Sequence, residues 1–189
     1  MSHEHLQTQN SLLLTNLIDY YNKNGNLERI LNIINGESQI SLRLIDWFAT
    51  NYSKKYFTVY MLKRGDGEDY RFKVYIDYKL KLKAYSKKRF DPFCRWDRIN
   101  IPYKNDSYIQ TTIGQLNFFR WVLDNKIIGY IEKHYDEINK DMNKRNSTTK
   151  NRKEKDSKGK QTRKTREELS VSASKSIKRE EIEIVVSFK

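Results

Sequence analysis

Residues 71 to 90, RFKVYIDYKLKLKAYSKKRF, alternate between apolar and mostly charged side chains over almost their whole length. In a β-strand successive side chains point to opposite faces, so the alternation predicts one long strand with an apolar face and a basic face. The glycine-containing turn KRGDGED precedes this segment, and the β-branched and aromatic run YFTVYML precedes the turn. The sequence therefore predicts a hairpin with a long basic second arm. Its predicted core row is Phe72, Val74, Ile76, Tyr78, Leu80, Leu82 and Ala84.

Helical periodicity flanks the predicted hairpin on both sides. Before it lie three segments with apolar residues at helical spacing, for which Ser11, Asn26 and Ser41 are the predicted starting residues. After it, Thr112 and Gln115 match a capping box that begins two apolar-faced helices, or one bent helix, joined near residues 124 to 126. The predicted fold class is α+β, with N-terminal helices, the hairpin and a C-terminal helix pair in one domain over residues 1 to 142.

The composition changes at residue 143. The chain has no aliphatic or aromatic residue from 143 to 166, so burial cannot offset the entropy lost on ordering this segment. We expect a disordered basic arm over residues 143 to 181. The alternating run IEIVVSFK, residues 182 to 189, predicts a short terminal strand that adds to a sheet of its own domain or of a partner.

The positive charge is concentrated in two blocks. The chain has a formal net charge of +13, and residues 54 to 104 contain 15 Lys and Arg against 6 Asp and Glu. Residues 140 to 166 contain 12 against 3. Such blocks predict an acidic partner, which is nucleic acid, an anionic membrane or an acidic protein. Neither a long apolar stretch nor a secretory leader pattern is present, so we expect a cytosolic or nuclear protein without a membrane partner.

The sequence gives little support for catalysis. Its single cysteine, Cys94, is expected to be a buried structural thiol, with a nucleophile in the segment DPFCR as the alternative. The three histidines do not have the spacing of a zinc site. We therefore predict no enzyme activity, no metal and no cofactor.

The basic face of the predicted strand is the candidate binding site. Regularly spaced lysines can neutralise phosphates, and Tyr75 and Tyr85, on the same predicted face, can stack on unpaired bases. The alternatives are a merely solvated basic face or lysines that protect a sheet edge from aggregation. The predicted nucleic-acid-binding residues are Arg71, Lys73, Tyr75, Lys79, Lys81, Lys83, Tyr85, Lys87, Lys88, Arg89, Arg95 and Arg98.

Several longer segments resemble one viral protein family. They include SLRLIDWFATNYSKKYFTVY, DYKLKLKAYSKKRFDPFCRWDRI, TTIGQLNFFRWVLDNKIIGYIEKH and the ending ELSVSASKSIKREEIEIVVSF. Together they are similar to an uncharacterised family of proteins from nucleocytoplasmic large DNA viruses, the giant viruses. The resemblance implies a role in an infected cell, in a cytoplasmic virus factory or in the nucleus, and it transfers no catalytic residues.

These observations lead to one functional hypothesis and one alternative. We expect a non-enzymatic nucleic-acid-binding protein with weak sequence specificity, which binds DNA in preference to RNA and acts in genome handling or viral transcription. The alternative is a structural or adaptor protein of the virion that docks an acidic protein. In either case a viral protein can bind through the C-terminal strand.

Overall fold

Helices surround two small antiparallel sheets in the computed structural model, which describes residues 8–63, 65, 67–103, 108–156 and 179–180. The predicted α+β fold class is confirmed. Five helical segments come first: α1 (Gln9–Tyr21), α2 (Asn26–Ile34), α3 (Leu42–Trp47), a π-helical turn (Phe48–Tyr52) and α4 (Ser53–Lys55). The last three form one continuous stretch, as predicted.

Side-chain caps begin two of these helices. The Ser41 hydroxyl accepts a hydrogen bond of 3.2 Å from the Leu44 amide, which confirms Ser41 as the cap of α3. The cap of α1 was predicted wrongly. The Thr8 hydroxyl accepts from the Ser11 amide at 3.2 Å, so Ser11 lies inside the helix and Thr8 is its cap.

The predicted hairpin is present, but its second arm is short. Strand β1 (Val59–Lys63) pairs with β2 (Asp69–Lys73), and Val59 lies opposite Lys73. On the inner face, the ring of Tyr60 stacks on Tyr130 with centroids 4.9 Å apart. Before Val59 the chain turns out of α4, so β1 offers no partner for residues beyond Lys73.

The long basic strand was therefore a wrong prediction beyond Lys73, and residues Val74–Arg89 form helix α5. A strand without a neighbour would leave its backbone N–H and C=O groups unpaired, whereas a helix pairs them within the segment. Leu, Lys and Ala are strong helix formers, and this segment is rich in them. The length of β1 decides where the strand must end.

The predicted apolar row was also wrong, because a helix distributes its residues around an axis at about 100° per residue. Val74 is fully buried, and Tyr78 packs on Phe90 and Trp121 with each ring centroid 5.9 Å away. Ile76 and Leu80, which belong to the same predicted row, are 53% and 59% exposed. The helix thus turns two large aliphatic side chains towards solvent.

A break at Ser86 ends the regular part of α5. Ser86 has φ 61° and ψ 169°, a conformation that side chains rarely adopt. The chain after the break passes close to Gly114, where an added Cβ would lie 2.9 Å from the Lys88 carbonyl oxygen. Glycine at position 114 therefore permits this close approach.

The second sheet contains β3 (Arg98–Pro102), β4 (Tyr108–Thr112) and the two-residue β5 (Arg179–Glu180) in that order. Strand β4 lies in the centre, and Arg179 pairs with Ile109. The predicted terminal strand over residues 182 to 189 lies outside the described residues.

Three helices close the fold: α6 (Ile113–Asp124), α7 (Ile127–Lys133) and α8 (Tyr135–Asp156). The Thr112 hydroxyl caps α6 by accepting from the Gln115 amide at 3.1 Å. The Gln115 side-chain amide group donates to the Pro92 carbonyl at 2.9 Å, and its side-chain oxygen accepts from the Thr111 hydroxyl at 2.9 Å. Helices α6 and α7 meet at residues 125 and 126, within the predicted junction.

Helix α8 corrects the predicted boundary of the basic arm. It continues to Asp156, so the first part of the segment predicted to be disordered is helical, while residues 157 to 178 lie outside the described residues. Its first half is anchored on α3 and α4, where Asp141 accepts from the Trp47 indole at 3.2 Å and pairs with Lys55. Lys and Arg are good helix formers, so an anchored helix can extend through them.

Candidate functional site

An exposed apolar groove runs between α4, the start of β1 and the outer face of α5. It consists of two adjoining cavities of about 480 and 440 Å³, which share Tyr75 and Ile76 in their walls. The exposed apolar residues Phe57, Val59 and Ile76 line the first cavity, and the second continues along α5 past Leu80. We call this surface, together with Met61 beside Val59 on the outer face of the hairpin, the hairpin–α5 groove.

The groove collects most of the large apolar side chains that the fold leaves in water. In the described part of the chain nine such residues are exposed, and five of them lie here: Phe57, Val59, Met61, Ile76 and Leu80. Single exposed apolar residues are common on proteins, but a contiguous cluster indicates an interaction surface.

Lysines border the groove. Lys54 and Lys73 line the first cavity, and Lys79 and Lys83 line the second. The ammonium group of Lys54 lies 5.7 Å from the centre of the Tyr75 ring. Lys79 and Lys83 are one helical turn apart on α5, so their charges lie side by side. The groove is therefore apolar along its floor and positive at its margins.

Phe57 holds an unusual position in this groove. It follows α4 with φ 49°, and the amide of the next residue, Thr58, donates to the Ser53 carbonyl at 3.1 Å. This is the hydrogen-bond pattern of a Schellman motif, in which glycine is the usual residue at the left-handed position. A phenylalanine there carries strain of about 1–3 kcal/mol. Its side chain is 85% exposed, so burial does not compensate for that strain.

The structure separates the three lysines that were predicted to form one row. Lys79 and Lys83 point away from the core, whereas Lys81 is half-buried and lines a polar pocket of about 190 Å³ with Arg120 and Asp124. In a helix, residues two apart lie on nearly opposite sides, which explains the separation. Arg71 and Lys73 do share an exposed face of β2. Their cross-strand neighbours on β1 are Met61 and Val59, respectively.

The remaining predicted cations are distributed over several local contacts. Lys88 pairs with Asp97 at 2.9 Å, the Arg89 guanidinium donates to Gln9 at 3.2 Å, and that of Arg98 donates to Gln110 at 2.6 Å. Lys87 is exposed just after the break at Ser86. Arg95 binds Asp91 through two hydrogen bonds of 2.8 Å, so its guanidinium is already engaged by a carboxylate.

The two candidate stacking residues do not share a face. Tyr75 is half-buried in the groove beneath Lys54. Tyr85 is also half-buried, but its ring stacks on Phe90 with centroids 6.4 Å apart and an interplanar angle of 19°. The helix therefore corrects the prediction of one exposed row that contains both tyrosines.

A cluster of acidic groups lies where α3 approaches the segment after α5. Asp91 is buried, and both its carboxylate oxygens accept from Arg95. Burial, together with the nearby Asp91 carboxylate, raises the pKa of Asp46 to about 6, against the opposing effect of Arg95. Cys94 is buried nearby, and burial also raises the pKa of its thiol. A raised thiol pKa reduces the thiolate fraction and hence the reactivity.

No group of three or more His, Cys, Asp and Glu in the described ranges is arranged to hold a metal ion. Among the helices in those ranges, none has the length and apolar character needed to cross a membrane.

The sequence contained one usable signal for the groove. Phe57 lies two residues after the helix stretch that ends in KK and within the run YFTVYML, at a place where the chain must turn from helix to strand. An aromatic residue in such a turn is hard to bury, so the exposure of Phe57 could be predicted. The exposure of Ile76 and Leu80 could not, because it depends on α5 being a helix. The groove as a whole was therefore missed by reasoning from the sequence.

Comparison with known proteins gives the chain a family but no activity. A relative from Acanthamoeba polyphaga mimivirus, "Uncharacterized protein L507", is 49% identical over 131 residues, which are 67% of this chain and 49% of that protein. The matched part thus spans about half the length of the relative. No solved structure matches the chain. The model of a family of unknown function, DUF7197, matches residues 2–188. The chain therefore belongs to DUF7197, an uncharacterised family of giant-virus proteins.

Proposed function

We propose that this protein is a non-enzymatic adaptor of a giant virus that docks an acidic protein partner in the hairpin–α5 groove. One observation carries the proposal: four exposed apolar side chains line one groove whose margins are lysines, and a fifth, Met61, lies beside it on the hairpin. Burying aliphatic groups such as Ile76 and Leu80 is favourable by roughly 25 cal/mol for each Å² of apolar surface removed from water. Phosphates and sugars would bury little of that surface.

The positive margin selects the chemistry of the partner. Acidic side chains placed over Lys54, Lys73, Lys79 and Lys83 would steer association and exclude basic surfaces. A second copy of the same surface would bring lysines against lysines, in a chain with a net charge of +13. Self-association through this groove is therefore disfavoured.

Site-directed photocrosslinking in infected cells tests the adaptor proposal. A photoreactive amino acid replaces Phe57 in one variant and, in a control variant, the exposed Glu37, which follows α2 and does not line the groove. We expect position 57 to capture an acidic viral protein. Purified, that protein should bind the wild-type chain at least about tenfold more tightly than a double variant with Ile76→Ser and Leu80→Ser.

Two results would contradict the adaptor proposal. One is capture only of nucleic acid at position 57. The other is equal binding of the purified captured protein to the wild-type chain and the double variant, because the groove would then have no part in the interaction.

Nucleic-acid binding is a second candidate, favoured by the exposed cations on the same side of the molecule. Arg71 and Lys73 on β2 and Lys79 and Lys83 on α5 are all exposed. Helix α8 adds a second run of Lys and Arg along its sequence. Such a protein would bind phosphates with weak sequence specificity and act in genome handling or transcription.

A further inference from the structure

We propose that the partner enters the hairpin–α5 groove as an amphipathic α-helix, with an acidic pair one turn apart over Lys79 and Lys83 and with Phe57 packed against its apolar side. This inference rests on the adaptor function and specifies the form of the docked segment. It follows from the shape of the groove, its charges and the strained conformation of Phe57.

The outer face of α5 has the spacing of a helix-packing surface. Ile76 and Leu80 are one turn apart, as are Lys79 and Lys83, so an apolar ridge runs beside a positive one. A partner helix laid along this face can match both ridges, with apolar residues at i, i+3 or i+4 and i+7 and with carboxylates at i and i+4. Each of its ridges then meets one ridge of α5.

The groove also favours an occupant that pairs its own backbone groups. Two of its walls are α4 and α5, in which backbone N–H and C=O groups are largely bound within the helix. An extended segment in this apolar setting would find few hydrogen-bond partners, whereas a helix needs none from the walls.

Phe57 is placed to close one end of the groove. The Schellman motif at the end of α4 requires a left-handed residue, and glycine would satisfy it without strain. The aromatic ring instead lies in solvent at the margin of the first cavity. A partner that covers this ring would remove its apolar surface from water and so stabilise the complex, as expected of an aromatic anchor.

The C-terminal segment of the same chain is a less suitable occupant. It is acidic and apolar, but its residues Arg179 and Glu180 already pair with β4, in a different sheet from the hairpin. A helix contributed by another protein is therefore the occupant that we infer.

Designed peptides test this inference on the full-length chain. The probes are a panel of peptides of about 15 residues with an apolar helical face and a Glu pair at i and i+4, in several registers around that face. Each has three controls: the same composition in scrambled order, a version with a central proline, and a version with Lys in place of Glu. Fluorescence anisotropy measures binding, and circular dichroism measures helix formation in the peptide.

We expect at least one acidic helical peptide to bind at least about tenfold more tightly than its scrambled and proline versions, and to gain helicity when bound. The double variant Lys79→Glu and Lys83→Glu should lose about tenfold or more in affinity for the Glu peptide and bind the Lys peptide instead. This exchange of preference would identify the lysine pair as the contact.

The variant Phe57→Gly separates binding from folding. Relief of the left-handed strain should leave the melting temperature unchanged or raised, while affinity for the peptide falls by about tenfold or more. Matched controls are the variants Leu12→Gly and Leu12→Ala at the exposed Leu12 of α1, which should leave peptide affinity unchanged.

Four outcomes would overturn the inference. If no acidic helical peptide binds, or if the lysine variants do not exchange preference, the helix does not dock as inferred. If the proline peptides bind equally well, the groove takes an extended segment. If a peptide of residues 180–189 binds with the same dependence on Phe57 and Lys79, the chain's own segment is the occupant. The photocrosslinking result decides the adaptor function separately in each case.

Discussion

At the scale of single residues, Asp46 connects the packing of α3 to the pH dependence of stability. Its pKa of about 6 in the folded chain is above the ordinary value of 3.8. A carboxyl group whose pKa is raised by folding binds its proton more tightly in the native state. Stability is therefore highest below the unfolded pKa and decreases as the pH rises through the interval from about 4 to 6.

The variant Asp46→Asn should remove this decrease. We expect it to exceed the wild type in free energy of unfolding by on the order of 1–3 kcal/mol near neutral pH, and to differ little from it at about pH 4. Urea denaturation at the two pH values measures the difference. Equal pH dependence in the variant and the wild type would show that Asp46 ionises normally.

Asp141 is the matched control, because its environment lowers its pKa, whereas the environment of Asp46 raises the pKa of Asp46. Although burial opposes the effect, the hydrogen bonds from Lys55 and Trp47 lower the pKa of Asp141. Its contribution to stability is present above the unfolded pKa and is lost as the pH falls. The variant Asp141→Asn should therefore be destabilised near neutral pH, where Asp46→Asn is stabilised.

At the scale of the element, α5 is the part of the fold for which the prediction from the sequence was wrong. Alternation with a period of two fitted a strand, and the same residues arranged with a period of 3.6 place Val74 in the core and Leu80 in solvent. Both residues belonged to one predicted core row, so a pair of substitutions distinguishes the strand from the helix.

Replacing Val74 with Ala should cost about 1–3 kcal/mol of stability, since Val74 is fully buried. Replacing Leu80 with Ala should cost less than about 0.5 kcal/mol, because Leu80 is exposed and Ala favours a helix. Chemical denaturation of both variants measures these differences. Losses of similar size at the two positions would support the strand.

At the scale of the whole molecule, the arrangement of charge tests the nucleic-acid candidate. If about five cations around the hairpin–α5 groove neutralise phosphates, the logarithm of affinity for duplex DNA should fall against the logarithm of salt concentration with a slope of about −4. The double variant Lys79→Gln and Lys83→Gln should make the slope shallower by about 2.

Lys81 provides an internal control for the salt experiment. It belongs to the same run of lysines but faces the pocket beside Asp124, so Lys81→Gln should leave the slope nearly unchanged. An equal effect of all three lysines would mean that the DNA does not follow the exposed face of α5. Affinity that does not depend on salt would argue against phosphate contacts altogether.

Several elements could be predicted because their signals are local. Helical periodicity and capping residues located the helices before the hairpin and the start of α6, and the glycine turn located the hairpin. The resemblance carried by longer segments identified the viral family. These features depend on neighbouring residues, which interact in the same way wherever the segment lies in the fold.

The conformation of residues 74 to 89, in contrast, depends on contacts made across the fold. An alternating sequence satisfies a strand only if another strand lies beside it, and β1 is too short to accompany the chain beyond Lys73. Once the segment forms a helix against α6, Ile76 and Leu80 turn outward, Lys81 turns inward, and the groove appears beside Phe57. The candidate site therefore depends on where the pairing between β1 and β2 ends. The local pattern of residues 74 to 89 contains no information about that end.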